Sequence, residues 1–342
     1  MPRDYKAFLT ALIARRDLTE SEMAEAVDAI LDGAWTEAQI GAFLAALATK
    51  GETVEELAGA ARAMRRKAVR VQALSPHVVD TCGTGGDGAQ TFNISTTAAF
   101  IAAGAGATVA KHGNRAVSSG CGSADVLEAL GLNLQAPPEI MEEALNEIGI
   151  AFLFAPLYHG AIRHAMPVRK QLGVRTVFNM LGPLTNPAGA TAQLLGVFAP
   201  TLTETFAHAL RRLGTRRAFI VHGHDGLDEI SLSAPTRISE LENGQVRTYD
   251  FDPSLFFHDL TDPAAIRGGT ASDNAAILRG ILAGQDRGPR RQIALLNAAA
   301  ALMAVGLAPD WKSALDRAAN AVDSGAALAK LEALVAFTRR HA

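Results

Sequence analysis

The sequence predicts an α/β protein in which a small, all-helical N-terminal domain is joined to a larger domain with a mainly parallel central sheet flanked by helices. Two observations predict this class. Apolar residues recur at helical spacing through about the first 75 positions, and short β-branched runs then alternate with helical patterns and glycine-rich loops. The length of 342 residues agrees, because it suits one large domain or two of ordinary size.

Helix starts are marked in the N-terminal segment by capping boxes, in which a threonine precedes a glutamate or glutamine by three positions. The boxes pair Thr19 with Glu22, Thr36 with Gln39, and Thr53 with Glu56. Together with the helical spacing they predict a four-helix unit with short turns. A further helical pattern at residues 161–172 is expected to pack back on this unit. The predicted domains are therefore residues 1–75 completed by 161–185, and residues 76–160 with 186–342.

Strands and helices alternate after residue 76, which is the pattern of a mainly parallel sheet. Strands are predicted at residues 78–80, 107–110, 150–154, 193–197, 217–221, 236–241 and 245–249. Helices are predicted at residues 95–103, 124–130 and 138–148, and again from residue 273 to the end. Loops are predicted at residues 82–88 and 111–122, where glycine and serine are frequent.

Composition excludes several classes of protein. With 32 basic and 35 acidic side chains the net charge is −3, which argues against a general nucleic-acid surface. Two cysteines cannot form a disulfide framework. The longest apolar stretches fall short of the ~18–20 residues that span a bilayer. We therefore expect a cytoplasmic protein without a nucleic-acid or membrane partner.

A glycine-rich loop at residues 83–88, Gly-Thr-Gly-Gly-Asp-Gly, follows the first predicted strand. Glycines allow a sharp turn and bring backbone N–H groups close to a ligand, most often a phosphate. The spacing matches neither a P-loop nor a dinucleotide fingerprint, and a simple tight turn is the alternative. Residues 93–97, Asn-Ile-Ser-Thr-Thr, then open a helix whose start can bind an anion, although Ser95 could also be a plain N-cap.

Residues 111–120 combine two cations, an amide, two hydroxyls and two glycines. This mixture suits a polyphosphate with a ribose attached, and the alternative is a solvated charged loop. His112 is either a hydrogen-bond donor to a substrate or a structural histidine. Because the segment follows a strand that neighbours the first one, it is expected at the same edge of the sheet.

Adjacent acids occur at Asp228 and Glu229, after the predicted strand at residues 217–221. Carboxylates at a strand end beside a phosphate site are typical ligands of Mg²⁺, which keeps waters and phosphate oxygens as its other ligands. An exposed acidic turn is the alternative. A zinc site at His222 and His224 is disfavoured, because neither a cysteine nor a third histidine lies nearby in the sequence.

Arg169 lies on a predicted helix face and could grip a carboxylate with two parallel hydrogen bonds, although a surface arginine is the simpler interpretation. Residues 179–187 form a rigid proline- and glycine-rich loop that by itself indicates only a turn.

Taken together, these motifs resemble those of the anthranilate phosphoribosyltransferases, the family that performs the second step of tryptophan biosynthesis from chorismate. The similarity includes residues 83–87, 93–96, 111–125, 178–187 and 222–231, and it runs over essentially the whole chain in the same order and spacing. The resemblance implies a helical domain hinged to an α/β domain, a homodimer formed through the helical domain, and phosphoribosyl pyrophosphate bound in the cleft with two Mg²⁺ ions.

The resemblance also implies roles for individual residues. Those placed on the phosphoribosyl donor are Gly83, Gly86, Asp87, Thr91, Asn93, Ile94, Ser95, Thr96, Lys111, His112, Gly113, Asn114, Arg115, Ala116, Val117, Ser118, Ser119 and Ser123. Those placed on or near anthranilate are Gly83, Asn114, Arg169, His112 and His159. The magnesium ligands are Ser95, Asp228 and Glu229.

In the implied reaction, the amine of anthranilate attacks C1 of the ribose as pyrophosphate leaves. Lys111 is the catalytic residue that neutralises charge on the leaving group, and the sequence contains no clear general base. A pyrimidine nucleoside phosphorylase is one alternative, but it has no need of an acidic pair that holds magnesium. A non-catalytic relative that binds nucleic acid is another, but it predicts a basic surface and eroded loops.

Overall fold

The N-terminal helices begin where the capping boxes predict. The computed structural model describes residues 4–116, 120–257 and 261–340. The first helices are α1 (Tyr5–Ile13), α2 (Glu20–Leu31), α3 (Glu37–Lys50) and α4 (Val54–Lys67). Complete capping boxes at Thr19, Thr36 and Thr53 start α2, α3 and α4, because each threonine accepts from the N–H three residues on. The predicted four-helix unit is confirmed.

A seven-stranded sheet forms the centre of the larger domain, in the order β3-β2-β1-β4-β5-β6-β7. The strands are β1 (Val78–Gly83), β2 (Thr108–Gly113), β3 (Ile150–Phe154), β4 (Ala192–Gly196), β5 (Arg217–Gly223), β6 (Thr236–Glu242) and β7 (Gln245–Phe251). The strands from β3 to β5 in this order pair in parallel, whereas β6 and β7 are antiparallel additions at one edge. The mainly parallel sheet flanked by helices is confirmed.

The α-helices after α4 cover both faces of the sheet. They are α5 (Ile94–Gly104), α6 (Ser123–Ala129), α7 (Pro138–Glu147), α8 (Ala155–Tyr158), α9 (Met166–Leu172), α10 (Val177–Leu181), α11 (Leu202–Arg212), α12 (Ala271–Leu282), α13 (Pro289–Ala304), α14 (Trp311–Asp323) and α15 (Ala326–Arg339). Short 3-10 helices form at Gly160–His164, Gly182–Leu184, Pro253–Leu255 and Pro263–Ile266. None of the helices in the described ranges is long and apolar enough to cross a membrane.

Several elements differ from their predictions, and β1 is one, since it runs on to Gly83 and includes the first two residues of the loop predicted at 82–88. Helix α11 was not predicted, although the buried Phe206 and Leu210 stand one helical turn apart. Strand β2 runs on to Gly113, so that Lys111 and His112 belong to a strand and not to the predicted loop. These two residues continue the parallel ladder with β3, and their polar side chains have partners at the edge of the sheet. Polar residues at the end of a buried strand can therefore belong to the strand and line a site, instead of beginning a loop.

Each face of the sheet has its own core. Helices α5, α13, α14 and α15 pack on one face, and α13 is buried along most of its length. The other face shares a core with the N-terminal bundle through α10 and α11. Ala165 and Val168, from the segment predicted to pack back, join this second core beside α3. Arg65 on α4 donates to the carbonyl of Leu184 at 2.7 Å and to that of Leu213, which directly follows α11, at 3.3 Å, so it links the N-terminal helices to both segments.

Candidate active site

The glycine-rich loop begins at the carboxyl end of β1 and turns sharply in front of the sheet. Gly85 and Gly86 have φ values of +66° and +86°, a region that residues with a Cβ rarely adopt. The Gly85 N–H donates to Asp228 Oδ2 at 3.0 Å, and Arg175 Nη2 donates to the Gly86 carbonyl at 3.0 Å. We call the turn that carries Asp228 and Glu229 the acidic turn. The glycine-rich loop is held against the acidic turn on one side and against the segment after α9 on the other.

Helix α5 points its N-terminus at the same edge of the sheet. The Ser95 N–H donates to Glu229 Oε1 at 3.0 Å, and Lys111 Nζ lies 3.3 Å from Ser95 Oγ. Lys111 Nζ also donates to the carbonyl of Thr81 on β1. The free N–H groups of the first helical turn carry positive potential, and here they share the space with a lysine and two carboxylates.

Lys111 is buried, and its counter-charge beneath the edge is Asp80 on β1. Asp80 Oδ1 accepts from the His112 N–H at 3.0 Å, and its Oδ2 accepts from Asn186 Nδ2 at 2.7 Å. Burial raises the pKa of Asp80 to about 6 although Lys111 opposes this shift, and burial lowers the pKa of Lys111. Asp80 therefore joins β1, β2 and the loop after Gly182–Leu184 at one point.

Asp228 rests directly on two glycines of the sheet. Gly83 and Gly196 are register partners at the carboxyl ends of β1 and β4. A Cβ at Gly196 would lie 1.6 Å from the Asp228 carbonyl oxygen, and one at Gly83 would lie 2.9 Å from Asp228 Oδ2. No side chain fits between Gly196 and the backbone of Asp228, which explains the glycine there, whereas at Gly83 the Asp228 side chain would have to shift.

The acidic side chains at this edge repel one another. Burial, and after it the charge of Asp87, raises the pKa of Asp228 to about 7. Burial and then Asp228 raise the pKa of Glu229 to about 8, against the opposing effect of Lys111. We call Asp80, Lys111, Asp87, Asp228 and Glu229 the charged cluster.

The oxygen atoms of the charged cluster suit a hard divalent cation. Within the described ranges, no group of three or more His, Cys, Asp or Glu side chains forms a complete metal cage. Mg²⁺ does not need one, since it commonly takes one or two protein carboxylates and completes its octahedron with waters and substrate phosphates. Asp228 and Glu229, with the Ser95 hydroxyl, offer that partial set of ligands.

A pair of buried histidines lies on the other side of β2, because successive side chains of a strand point to opposite faces. The rings of His112 and His159 have centroids 5.0 Å apart. His112 Nδ1 lies 3.1 Å from the Gly182 carbonyl. Burial lowers the pKa of His112 to about 3 and that of His159 to about 4, so both rings are neutral at pH 7.

Both neutral rings leave Nε2 as a buried acceptor without a hydrogen-bond partner. Arg169, on α9, lies over the ring of Phe178 at 5.7 Å, and its Nε is likewise buried and unpartnered. Burial lowers the pKa of Arg169. We call His112 and His159 the imidazole pair. The imidazole pair offers two buried acceptors, and Arg169 offers a planar cation whose Nε is free to donate.

The remaining predicted residues have mixed surroundings. Ser123 Oγ donates to the Asn114 carbonyl at 3.3 Å, and Arg115 forms ion pairs with Asp125 and Glu128. Asn93 accepts from Asn274 Nδ2 at 3.0 Å. Thr91 forms an isolated bridge with Arg267. Val117, Ser118 and Ser119 lie outside the described residues.

Sequence reasoning missed several polar residues that hold this edge together. Asp80 and Asn186 support β2, Arg175 supports the glycine-rich loop, and Asn297 of α13 hydrogen bonds next to the acidic turn. Asp80 and Asn297 carried a signal, since a polar residue in an apolar strand or an alanine-rich helix needs a buried partner, whereas Asn186 and Arg175 lie in loops and carried none. Their partners lie from 32 to 106 positions away, so the sequence could not identify them.

Both domains of the chain match known protein families. Residues 75–328 match the a/b domain of a glycosyl transferase family, and residues 6–68 match the helical bundle domain of the same family. Both domains of the chain therefore match those of one glycosyl transferase family, and this family defines the class of protein.

Individual relatives narrow the class. The chain is 64% identical over 333 residues, 97% of its own length and 98% of the relative's, to the anthranilate phosphoribosyltransferase of Desulfosudis oleivorans. The crystal structure of the enzyme of that name from Thermus thermophilus superposes with a TM-score of 0.92 at 43% identity, over 97% of this chain and 99% of that one. The chain therefore belongs to the anthranilate phosphoribosyltransferase family. The nucleoside phosphorylase and nucleic-acid-binding alternatives receive no support.

A more distant relative was solved with ligands. The anthranilate phosphoribosyltransferase of Saccharomyces cerevisiae, in complex with PRPP and Mg, has a TM-score of 0.90 at 29% identity over 98% of each chain. The same yeast enzyme was also solved in complex with 4-fluoroanthranilate, with a TM-score of 0.88 at 28% identity over 98% of each chain.

Proposed function

We propose that the carboxyl edge of the sheet binds phosphoribosyl pyrophosphate (PRPP) with Mg²⁺, and that the chain transfers the phosphoribosyl group to the amine of anthranilate. The products are N-(5-phosphoribosyl)anthranilate and pyrophosphate, and the reaction belongs to tryptophan biosynthesis. One observation carries the proposal. Lys111 Nζ, the Ser95 N–H at the start of α5, and the Asp228–Glu229 turn meet within hydrogen-bond distance at one point, beside a glycine-rich loop.

The donor is bound by the residues around this point. We assign to it Gly83, Gly86, Asp87, Thr91, Asn93, Ile94, Ser95, Thr96, Lys111, His112, Gly113, Asn114, Arg115, Ala116, Val117, Ser118, Ser119 and Ser123. The N–H groups of the glycine-rich loop and of the first turn of α5 offer hydrogen bonds to the negatively charged phosphate oxygens of the donor. Lys111 is held between Thr81 and Ser95, so it neutralises the charge that develops on the departing pyrophosphate without moving.

The metal site is assigned to Ser95, Asp228 and Glu229, with two Mg²⁺ ions for each chain. The donor set fits, because it consists of oxygens and because a cation would offset the burial and, after it, the repulsion that raise the pKa values of both carboxyls. When bound, magnesium supplies charge stabilisation on the pyrophosphate oxygens. The chain itself fixes the carboxylates through Gly85 and Ser95 N–H groups.

Anthranilate, the acceptor, binds on the side of β2 that carries the imidazole pair. We assign Arg169 to the carboxylate of anthranilate, with Gly83, Asn114, His112 and His159 around the ring and amine. Both imidazoles accept hydrogen bonds through Nε2, which suits an aromatic amine with two N–H groups to donate. With pKa values of about 3 and 4 they orient the amine but are weak bases, so no general base is assigned.

The arrangement of domains and copies belongs to the same proposal. Residues 1–75 and 161–185 form one helical domain that moves on a hinge against residues 76–160 and 186–342. Two copies pair through the helical domain, where Ile13 on α1 is 69% exposed. The location is cytoplasmic, in keeping with two free, buried cysteines. Light scattering that gives the mass of a single chain would refute the dimer.

The experiment that tests the function follows anthranilate fluorescence with purified protein, PRPP and Mg²⁺. We expect the signal to fall as the amine is substituted, and EDTA to stop the loss. The Asp228→Asn, Glu229→Gln double variant is expected to need more Mg²⁺ for the same rate. An unchanged magnesium titration would refute the metal assignment, and a folded wild type that leaves fluorescence constant would refute the reaction.

A further inference from the structure

Asn297 is the one residue of the buried alanine-rich stretch of α13 with an amide side chain, and it is fully buried. An amide in such a helix is unfavourable unless its hydrogen-bonding groups have partners. Asn297 has them: its Oδ1 accepts from the Ile230 N–H at 3.0 Å, and its Nδ2 donates to the Ile230 carbonyl at 3.1 Å. Nδ2 also donates to the Ile293 carbonyl of its own helix at 2.9 Å.

Ile230 directly follows Glu229, so Asn297 grips both backbone polar groups of the residue next to the acidic pair. Helix α13 is a rigid support for this grip, since it packs against α5, β1, β4 and β5 at once. The turn is held from below by the close approach of Gly196 to the Asp228 carbonyl. Asn297 holds the turn at Ile230, the residue that directly follows Glu229.

We infer that Asn297 is a positioning residue for the metal-binding carboxylates: it fixes Ile230 and thereby the direction in which Asp228 and Glu229 present their oxygens. The inference rests on the proposed function, because that function assigns the two carboxylates to magnesium. Residues that orient metal ligands from outside the coordination shell typically contribute about ten- to a hundredfold to metal affinity. Asn297 acts through backbone hydrogen bonds and touches neither metal nor substrate.

The test measures metal binding directly, with Mn²⁺ as a paramagnetic substitute for Mg²⁺. Free Mn²⁺ is followed by electron paramagnetic resonance during titration of the full chain without pyrophosphate, which would itself bind the ion. We expect Asn297→Leu, which has nearly the same shape but no polar atoms, to weaken Mn²⁺ binding about tenfold or more. Excess Mg²⁺ should restore much of its transferase rate, whereas a general loss of structure would not respond to the metal.

A matched control separates positioning from stability. Leu302 is fully buried in the same helix, and its side chain offers no hydrogen bond to the acidic turn. Leu302→Ala is expected to lower the melting temperature while Mn²⁺ binding stays at the wild-type value. Should Asn297→Leu fail to fold, Asn297→Asp provides the measurement, because it keeps the shape and the acceptor for Ile230 and loses the amide donors.

The outcomes are distinct. A folded Asn297→Leu or Asn297→Asp protein that binds Mn²⁺ as tightly as the wild type overturns the inference and leaves the proposed function intact. If the wild type binds Mn²⁺ no better than the Asp228→Asn, Glu229→Gln variant does, the metal assignment in the proposed function is itself wrong.

Discussion

The charged cluster and the imidazole pair lie at the same strand ends but are built in opposite ways. In the charged cluster, Asp228 and Glu229 accept from backbone N–H groups of the glycine-rich loop and α5, and Lys111 donates to the Ser95 hydroxyl. The imidazole pair and Arg169 keep buried nitrogen atoms without partners. Unpartnered buried polar atoms are costly, so they mark the side of the site that a ligand completes. We therefore expect the described part of the proposed donor side to be formed in the free chain, and the proposed acceptor side to be completed by its substrate.

The largest effect is expected at the centre of the charged cluster. Lys111→Met keeps the length of the side chain and removes its charge, so we expect kcat to fall about 10²–10³-fold. Anthranilate binding should change little, because Lys111 faces away from the imidazole pair. Steady-state kinetics with each substrate varied in turn checks both statements. A loss confined to the KM for anthranilate would break the division between the two sides.

Gly196→Ala tests whether the donor side depends on the close approach of the acidic turn to the sheet. Its Cβ would overlap the Asp228 carbonyl, so the turn must move. A displacement of about 1 Å near reacting groups commonly costs about 10² in rate, and we expect that loss in kcat/KM for PRPP. Gly280→Ala, where nothing lies within 4 Å, is the control. Equal activity of the two variants would contradict the packing.

On the acceptor side, Arg169→Ala should raise the KM for anthranilate and leave that for PRPP nearly unchanged. A hydrogen bond to a charged group contributes about 1.5–3 kcal/mol, equivalent to about ten- to a hundredfold in binding. Arg169→Lys keeps the charge without the planar fork and should fall in between. The two KM values, measured separately, decide the matter. Equal changes in both would end the assignment of Arg169 to anthranilate.

A smaller effect concerns stability and pH. Since burial holds the pKa of His159 at about 4 against an ordinary 6.5, the folded chain binds fewer protons than the unfolded chain between these values. The contribution of neutral His159 to the free energy of unfolding is therefore complete above pH 6.5. As the pH falls towards 4, the free energy of unfolding decreases by about 1–3 kcal/mol. His159→Asn keeps a polar side chain at this position but does not titrate. Urea unfolding of both proteins at pH 4.5 and 7.5 should show the steeper loss in the wild type, and parallel losses would contradict it.

Sequence reasoning recovered the fold better than the interior of the site, for physical reasons. Capping boxes and glycine-rich turns are local, so the starts of α2, α3 and α4 could be predicted within the sequence itself. The position of Lys111 on a buried strand could not, because its partners Thr81 and Ser95 come from other elements. Likewise, Asn297 and Ile230 lie 67 positions apart in the sequence, so only the folded chain brings them together. Helix α11 was missed although its pattern was local.

Calorimetric titration tests the central claim most directly. PRPP with Mg²⁺ is added to the protein without anthranilate, and anthranilate is added separately without PRPP. A donor side that is complete in the free chain predicts that PRPP binds on its own and that anthranilate alone binds far more weakly. Tight binding of anthranilate to the free chain, or PRPP binding that appears only once anthranilate is present, would contradict it.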